Sequence, residues 1–407
     1  MTLLRDKFNL HALSKNRFAK KLWQIYNNYQ LKQKTMNDST KNWVNRVIEP
    51  TGIILDGPNP WDPQIKNPGL YDRVKAQGSL GLGEAYLDGW WECERLDEFF
   101  YRLLSTDIYS RLGLSLPVIL GFIKANLFNR QAISRAFQVG EKHYDTGNDL
   151  FTAMLGPSMT YSCGYFKDTD SLDQAEEAKL DLICRKLKLQ PGQRVLDIGC
   201  GWGSFARHAA KNYGVKVVGI TVSKEQKKLA EELCAGLDVE FRLQDYREIN
   251  EKFDHLVSVG MIEHVGAKNY EIYMQVAKRC LKDGGLFLLH TIGSLKSGNN
   301  TDPWIEKYIF PNGCLPSLHQ LTAAVEGKFV IEDVHNFGAD YDKTLLAWHR
   351  NFLAAWPELS RNYDERFYRM WRYYLLCCAG AFRARSIQLW QIVLSPRGVA
   401  GGYESIR

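Results

Sequence analysis

Hydrophobic positions along this chain recur with two periods, and their alternation becomes regular in the second half. An apolar run of Val195, Leu196 and Ile198 ends in glycines at alternate positions, Gly199, Gly201 and Gly203, before a helix-forming stretch at 205–210. That is strand, tight turn and helix. Further short apolar runs follow at 215–221, 241–243, 255–259 and 286–290, separated by stretches with helical spacing. Upstream, Ala175, Ala178, Leu182 and Ile183 mark one face of an amphipathic helix, which Pro191 and Gly192 turn into the first strand. This alternation predicts an α/β fold with a doubly wound, mostly parallel sheet.

The first third reads differently. Between 41 and 68 the chain is broken by Pro50, Gly52, Gly57, Pro58, Pro60 and Pro63, so turns and short strands are expected. A glycine-spaced, aromatic-rich segment spans 77–92; its glycines follow no evident strand, which argues against a phosphate loop. From 96 to 128, Phe99, Phe100, Leu103 and Leu104 recur at helical intervals. Three parts are therefore expected: a tail at 1–36, a smaller, mainly helical domain at 37–132, and a larger domain at 133–407. No internal repeat is visible.

Composition changes the picture only at the amino terminus. The chain has 407 residues, 45% hydrophobic and 24% charged, as in an ordinary globular protein with a full core. Its net charge of +6 sits wholly in the tail, where eight basic residues (Arg5, Lys7, Lys15, Arg17, Lys20, Lys21, Lys32, Lys34) face Asp6 alone. With Phe18, Leu22, Trp23, Ile25, Tyr26 and Tyr29 interspersed, the tail reads as a basic amphipathic helix for an anionic membrane surface, or as a solvated or docked segment. The nine cysteines show no metal-binding spacing and no signal peptide precedes them, so reduced thiols, no metal and a cytoplasmic setting are expected. The longest apolar run, 112–123, contains Pro117 and stops at Lys124, short of the roughly 20 residues a spanning helix needs. Nucleic acid is not an expected partner.

Candidate chemistry lies at the carboxyl ends of the strands, where a doubly wound sheet binds its ligands. Gly203 follows Gly201 by two residues, not the three of a dinucleotide fingerprint, and Asp197 precedes the first glycine. A fixed carboxylate there suits a cationic ammonium better than a phosphate. The pattern resembles the first motif of the S-adenosylmethionine (SAM) methyltransferases. Thr221 ends the second strand where that class usually carries an acid for the ribose hydroxyls, a departure from the pattern. Ser223 and Gln226 have the spacing of a capping box, and Gln226 is either a cap or a neighbour of the ribose. After the third strand, Asp245 and Tyr246 suit an adenine amine and ring, unless Asp245 is a solvated loop acid. Glu263 and His290 follow the fourth and fifth strands in apolar surroundings, which marks them for shifted pKa values and proton transfer.

A more specific resemblance rests on ordered motifs at 161–165 (Tyr161, Ser162, Cys163, Gly164, Tyr165), 197–203, 260–266, 290–293, 308–316, 336–341 and 379–385. Together they resemble the bacterial cyclopropane-fatty-acyl-phospholipid synthases, relatives of the mycolic acid cyclopropane synthases, over about 64–390, including 78–91. The resemblance implies transfer of a SAM-derived methylene to the cis double bond of an acyl chain in a membrane phospholipid. It implies a bicarbonate ion as general base, held by Cys163, Glu263, His290, Tyr341 and the backbone of Ile292. For the cofactor it implies Tyr161, Ser162, Asp197, Gly199, Cys200, Gly201, Trp202, Gly203, Thr221, Gln226, Asp245 and Tyr246. It also implies a homodimer at the inner face of the cell membrane, with lipid handling and dimerisation in domain 37–132.

The residue types suit that reaction. Methylation of an alkene creates a carbocation-like centre that aromatic faces stabilise, and ring closure then requires a base in a water-poor pocket. Tyr341 and a backbone amide can donate to an anion, His290 can orient it or share a proton, and Glu263 can accept from its hydroxyl. Cys163 is equally a small apolar filler. Cys378 matches a cysteine sometimes named as a nucleophile in the family, although direct transfer needs none. A mid-chain fatty-acyl methyltransferase and a non-catalytic lipid-binding protein with this fold are the competing readings.

Overall fold

Proline and glycine breaks keep the first described part of the chain in short steps. A 3-10 turn at Glu49–Thr51 leads to β1 (Gln64–Ile65), α1 (Gly69–Gln77), α2 (Ser79–Leu87), β2 (Trp91–Glu92) antiparallel to β1, and α3 (Leu96–Leu104). The computed structural model describes residues 39–106, 108, 147–299 and 301–407; the basic tail, the run at 112–123, the expected domain boundary and residues 139–146 lie outside them. The glycine-spaced segment is helix α2. Gly83 lets it pack on Trp304, whose ring a Cβ would meet at 2.3 Å.

The larger part begins with α4 (Asn148–Leu155) and α5 (Leu172–Lys186) and then alternates: β3 (Arg194–Ile198), α6 (Ser204–Tyr213), β4 (Lys216–Thr221), α7 (Lys224–Leu233), β5 (Val239–Leu243) and β6 (Phe253–Val259). It continues with α8 (Tyr270–Cys280), β7 (Leu281–Ser294), α9 (Pro303–Tyr308), α10 (Leu318–Val325), β8 (Val330–Asn336), α11 (Ala339–Leu359), α12 (Glu365–Arg383) and β9 (Ile387–Ser395). The seven strands lie in the order β5-β4-β3-β6-β7-β9-β8, the first five parallel and β9 antiparallel to both neighbours. The fold is the expected α/β sheet. Its last two strands escape a reading by βα alternation because the helical pair α11 and α12 separates them, and because β8 turns Val330, Ile331 and Val334 outward. β9 is buried on both faces, yet Gln388 and Gln391 interrupt its apolar run.

Alternate residues of each strand feed the two faces. Val195 and Val217 pack on α5 and α6, whereas Leu196, Ile198, Val218 and Ile220 pack on α8 and α10. A third, aromatic core joins α2, α3, α4, α11 and α12. Tyr373 of α12 meets Tyr86 at 5.5 Å, Phe100 at 5.1 Å and Trp304 at 4.4 Å between ring centroids. At Gly380 the helices α12 and α3 cross so closely that a Cβ would lie 2.6 Å from Phe100 Cβ and 2.7 Å from Asp97 O. Beside that crossing Arg383 bonds Asp342 at 2.9 and 3.0 Å and pairs with Asp97 at 2.9 Å.

Candidate functional site

The turn after β3 is built as its glycines require. Gly199, Gly201 and Gly203 have φ of 83°, 54° and 79°, in the left-handed region that side chains disfavour. A Cβ at Gly199 would strike Met261 and one at Gly203 would strike Phe241, each at 2.6 Å, whereas at Gly201 nothing lies within 4 Å. Two glycines thus serve packing, and the middle one leaves backbone open to a ligand. The N–H groups of Gly199 and Cys200 both donate to Ile220 O at 3.0 Å, which fixes the turn against β4. Cys200 is buried, and Trp202 turns under α4, donating to Asn148 Oδ1 at 3.3 Å.

Asp197, at 2% exposure, is pushed up to about 7 by burial, opposed by the Lys179 ammonium. A cationic ligand would return it to the carboxylate. This buried acid beside an open glycine is the observation that fits SAM, whose ammonium Asp197 would hold.

Around the turn the expected neighbours divide. The Thr221 hydroxyl donates to Gln226 Oε1 at 3.0 Å and accepts from Ser223 N–H at 3.2 Å. Ser223 caps α7 by accepting from Gln226 N–H at 3.2 Å. The capping box is therefore half formed, with the Gln226 side chain turned to Thr221 at the end of β4. Asp245 accepts from Arg247 Nε at 2.8 Å and Nη2 at 2.6 Å, so it is a paired acid and not a solvated one. Tyr246 lies buried below the sheet, edge-on to Tyr273 at 5.2 Å.

The second half of the site is drier. A short 3-10 turn, Ile262–His264, carries Glu263 inward, where its Oε1 accepts from the Ile292 N–H at 2.7 Å. The amide expected to face an anion is thus given to Glu263. Its other oxygen, Oε2, is buried without a hydrogen-bond partner, as is Nε2 of His290. Burial pushes Glu263 up to about 7 and drives His290 well below its ordinary value, so the imidazole is neutral. His290 Nδ1 faces Gln391 Nε2 at 3.3 Å across the β7–β9 register.

Tyr341, on the first turn of α11, stacks on Phe382 at 4.5 Å. Burial raises its phenol far above the ordinary value, and Cys163, Tyr161, Glu263 and Cys378 lie within electrostatic reach of it. Cys163 is fully buried, its thiol pushed up by burial and donating to Gly164 O at 3.1 Å. Such a thiol is no nucleophile. Cys378 is half-buried one turn from Tyr374, whose hydroxyl meets that of Tyr161 at 2.8 Å. Phe151 and Trp348 flank the Tyr161 ring at 5.3 Å each.

Glu263 Oε2 and His290 Nε2, two buried atoms lacking partners, one acidic and one neutral, fit a small oxyanion that bears a hydroxyl proton. Bicarbonate meets that description. Sequence reasoning missed Tyr374, Trp348 and Gln391, which come from elements far along the chain, and also Lys179, a charged residue on the apolar face of α5. Only Lys179 left a trace in the sequence. Ser162 was expected at the cofactor, and the structure shows that Lys179 Nζ donates to its hydroxyl at 2.8 Å.

Known proteins bear on this arrangement. The chain is 57% identical over 369 residues to a cyclopropane-fatty-acyl-phospholipid synthase of Escherichia coli K12, covering 90% of this chain and 96% of that one. It is 39% identical over 277 residues to a probable fatty acid methyltransferase of Pseudomonas putida, covering 65% and 70%. Among solved structures, the cyclopropane synthase MmaA2 from Mycobacterium tuberculosis superposes with a TM-score of 0.60 at 32% identity, over 63% of this chain and 97% of that one. Mycolic acid cyclopropane synthase CmaA1, complexed with SAH and CTAB, does so with 0.59 at 33%, over 63% and 97%. The sequence model for mycolic acid cyclopropane synthetase matches residues 131–392, a span that holds the glycine turn, Glu263, His290 and Tyr341. The chain belongs to the mycolic acid cyclopropane synthetase family and is an enzyme of the SAM-dependent methyltransferase class.

Proposed function

We propose that the protein transfers a methylene from SAM to the cis double bond of an unsaturated acyl chain in a membrane phospholipid. The observation that carries this reading is the pair of unpartnered buried atoms on Glu263 and His290, with the Phe337 ring 5.8 Å from that of His290 and the Tyr341 phenol within electrostatic reach of Glu263. Bound SAM supplies an electrophilic methyl, and bound bicarbonate a proton acceptor. The chain's own residues do the rest. Asp197 and the open backbone at Gly201 orient the cofactor. Tyr161, Tyr341 and Phe151 present π faces to the positive charge that develops when the alkene electrons attack the methyl. Glu263 would accept the hydroxyl of such an anion, and neutral His290 would hold it by a donated N–H. The buried walls exclude water that would trap the cation as an alcohol.

Incubation with SAM and unsaturated phospholipid vesicles, followed by lipid mass analysis, tests the reading. An unmodified lipid would sink it. The Pseudomonas putida relative, a probable fatty acid methyltransferase, favours a second reading, methylation of the acyl chain without ring closure, and the same assay separates them because a methyl branch carries two more hydrogens than a ring.

Action at the inner face of the membrane, as a homodimer, completes the proposal. Among the described residues no helix is long and apolar enough to cross a bilayer. Each basic residue near an anionic surface contributes about 1 kcal/mol, decaying over a Debye length of about 10 Å at 0.1 M salt. A chain starting at Asn37 is therefore expected to co-sediment more weakly with anionic vesicles, by a margin that closes as salt rises. Its turnover on detergent-dispersed lipid should stay near that of the full chain. Equal sedimentation at low salt would reassign the tail.

A further inference from the structure

The two glutamines of β9 are held in different ways. Gln388, near the start of the strand, is fully engaged: Asn336 Nδ2 and Arg385 Nη2 donate to its oxygen at 2.6 and 3.0 Å, and its own amide donates to Arg385 O at 2.8 Å. Gln391 lies in the middle of the strand at 0% exposure, opposite His290 of β7 on one side and His335 of β8 on the other. Its amide nitrogen meets His290 Nδ1 at 3.3 Å, and its oxygen is buried with no hydrogen-bond partner. His335 is engaged elsewhere, its Nδ1 accepting from Lys186 Nζ at 3.1 Å. A bare amide oxygen costs stability that an apolar side chain of the same volume would avoid, so the contact with His290 is the gain that offsets it.

A neutral imidazole carries its proton on one of two nitrogens, and the partner of one nitrogen decides the state of the other. Burial, and then the ammonium groups of Lys179 and Lys186, keep His290 neutral. The NH2 of a glutamine only donates, so Nδ1 accepts from it and the proton belongs on Nε2, the buried nitrogen that no protein group meets. Phe337, edge-on to the imidazole at 5.8 Å, packs against the same ring. We propose that Gln391 is a positioning residue that sets the tautomer of His290, donating to Nδ1 so that Nε2 is the donor to the anion shared with Glu263. The proposal rests on the reading of Glu263 and His290 as the bicarbonate site. With the amide inverted, its oxygen would call the proton to Nδ1 and leave a lone pair on Nε2. That lone pair would repel an anion whose one hydroxyl is given to Glu263.

Nitrogen-15 NMR of the full chain labelled in histidine, in buffer depleted of bicarbonate, tests this on the wild type and on Gln391→Met. The signals of His290 are identified by their loss in His290→Gln. The wild type should carry the proton on Nε2 alone, and Gln391→Met, which keeps the volume and removes the donor, should show both tautomers. In assays with SAM and unsaturated phospholipid vesicles, the bicarbonate concentration giving half-maximal rate should rise about fivefold in Gln391→Met, the factor for one net hydrogen bond. Affinity for SAH should not move. Thermal unfolding reports whether the variant folds; should it not, Gln391→Asn, whose amide is one carbon short of His290, takes its place, and the wild-type spectrum decides in either case. A wild-type proton on Nδ1, or a proton that stays on Nε2 alone in the variant, would overturn the role. Wild-type turnover indifferent to bicarbonate would instead overturn the anion reading, whatever tautomer the spectrum showed.

Discussion

Glu263→Gln is expected to abolish most turnover while making the protein more stable. Glutamine keeps an oxygen for the Ile292 N–H, which reaches Glu263 at 2.7 Å, so the shape of the site survives. What is lost is a carboxylate able to accept the hydroxyl of a bound anion. Loss of a positioned proton acceptor costs on the order of 10²–10⁴ in rate, and the fall should appear in kcat with little change in SAH affinity. The stability change has a definite sign. Burial raises Glu263 from 4.5 to about 7, so the folded protein disfavours the ionised form. Below pH ~4.5 the acid is neutral folded or unfolded, and wild type and variant differ little. As pH rises through 4.5 to 7 the wild type bears a growing cost of about 1–3 kcal/mol that glutamine escapes. Melting temperatures measured from pH 4 to 8 should therefore diverge in favour of the variant. Activity retained in bicarbonate-depleted buffer would remove Glu263 and the anion from the mechanism together.

Gly380→Val should cost about 3 kcal/mol of stability, at the upper end for overpacking a close contact. The added carbons would meet backbone atoms, Asp97 O and Tyr101 N at 2.7 Å from the Cβ, besides Phe100 Cβ at 2.6 Å. Backbone within α3 cannot swing aside as a side-chain tip would. The helices must separate, drawing Arg383 from Asp97 and loosening the rings around Tyr373. Tyr374 and Cys378 lie on the same helix, so turnover should fall with stability. Gly298, where a Cβ meets nothing within 4 Å and φ is not positive, supplies the contrast: Gly298→Ala should unfold with the wild type in a thermal melt. A Gly380→Val protein of wild-type stability would mean that the two helices do not need their close approach.

The glycine turn was legible because its cause is local: three residues must take positive φ, and only glycine does so at no cost. Glu263 and His290 were legible because an ionisable residue at the end of an apolar strand has few bland explanations. Strand pairing was not. His290 faces Gln391 only because β9 lies beside β7, and no periodicity in either strand announces its neighbour. Tyr161 and Tyr374 meet across 213 residues of chain, through the packing of α12. The half-formed capping box shows a subtler limit. Spacing foresaw that Ser223 would cap the helix, but Thr221 at the strand end competes for the Gln226 side chain and wins it. Local rules rank candidate partners; the tertiary setting chooses among them.

The insertion of β9 between β7 and β8 also sets an order of events during synthesis. β8 emerges from the ribosome with no neighbour to pair with, because the strand that will join it to the sheet lies about fifty residues further on. At about 5–20 residues per second the nascent chain waits some seconds in that state. During that interval the backbone edges of both β7 and β8 are open, with Val330, Ile331 and Val334 exposed along the latter. The parallel half, with its glycine turn, can close first; the wing that aligns His290 comes last. Slow translation over 337–386 would thus lengthen the time in which newly made chains can pair with one another, and the yield of soluble enzyme would fall while each finished molecule remained fully active.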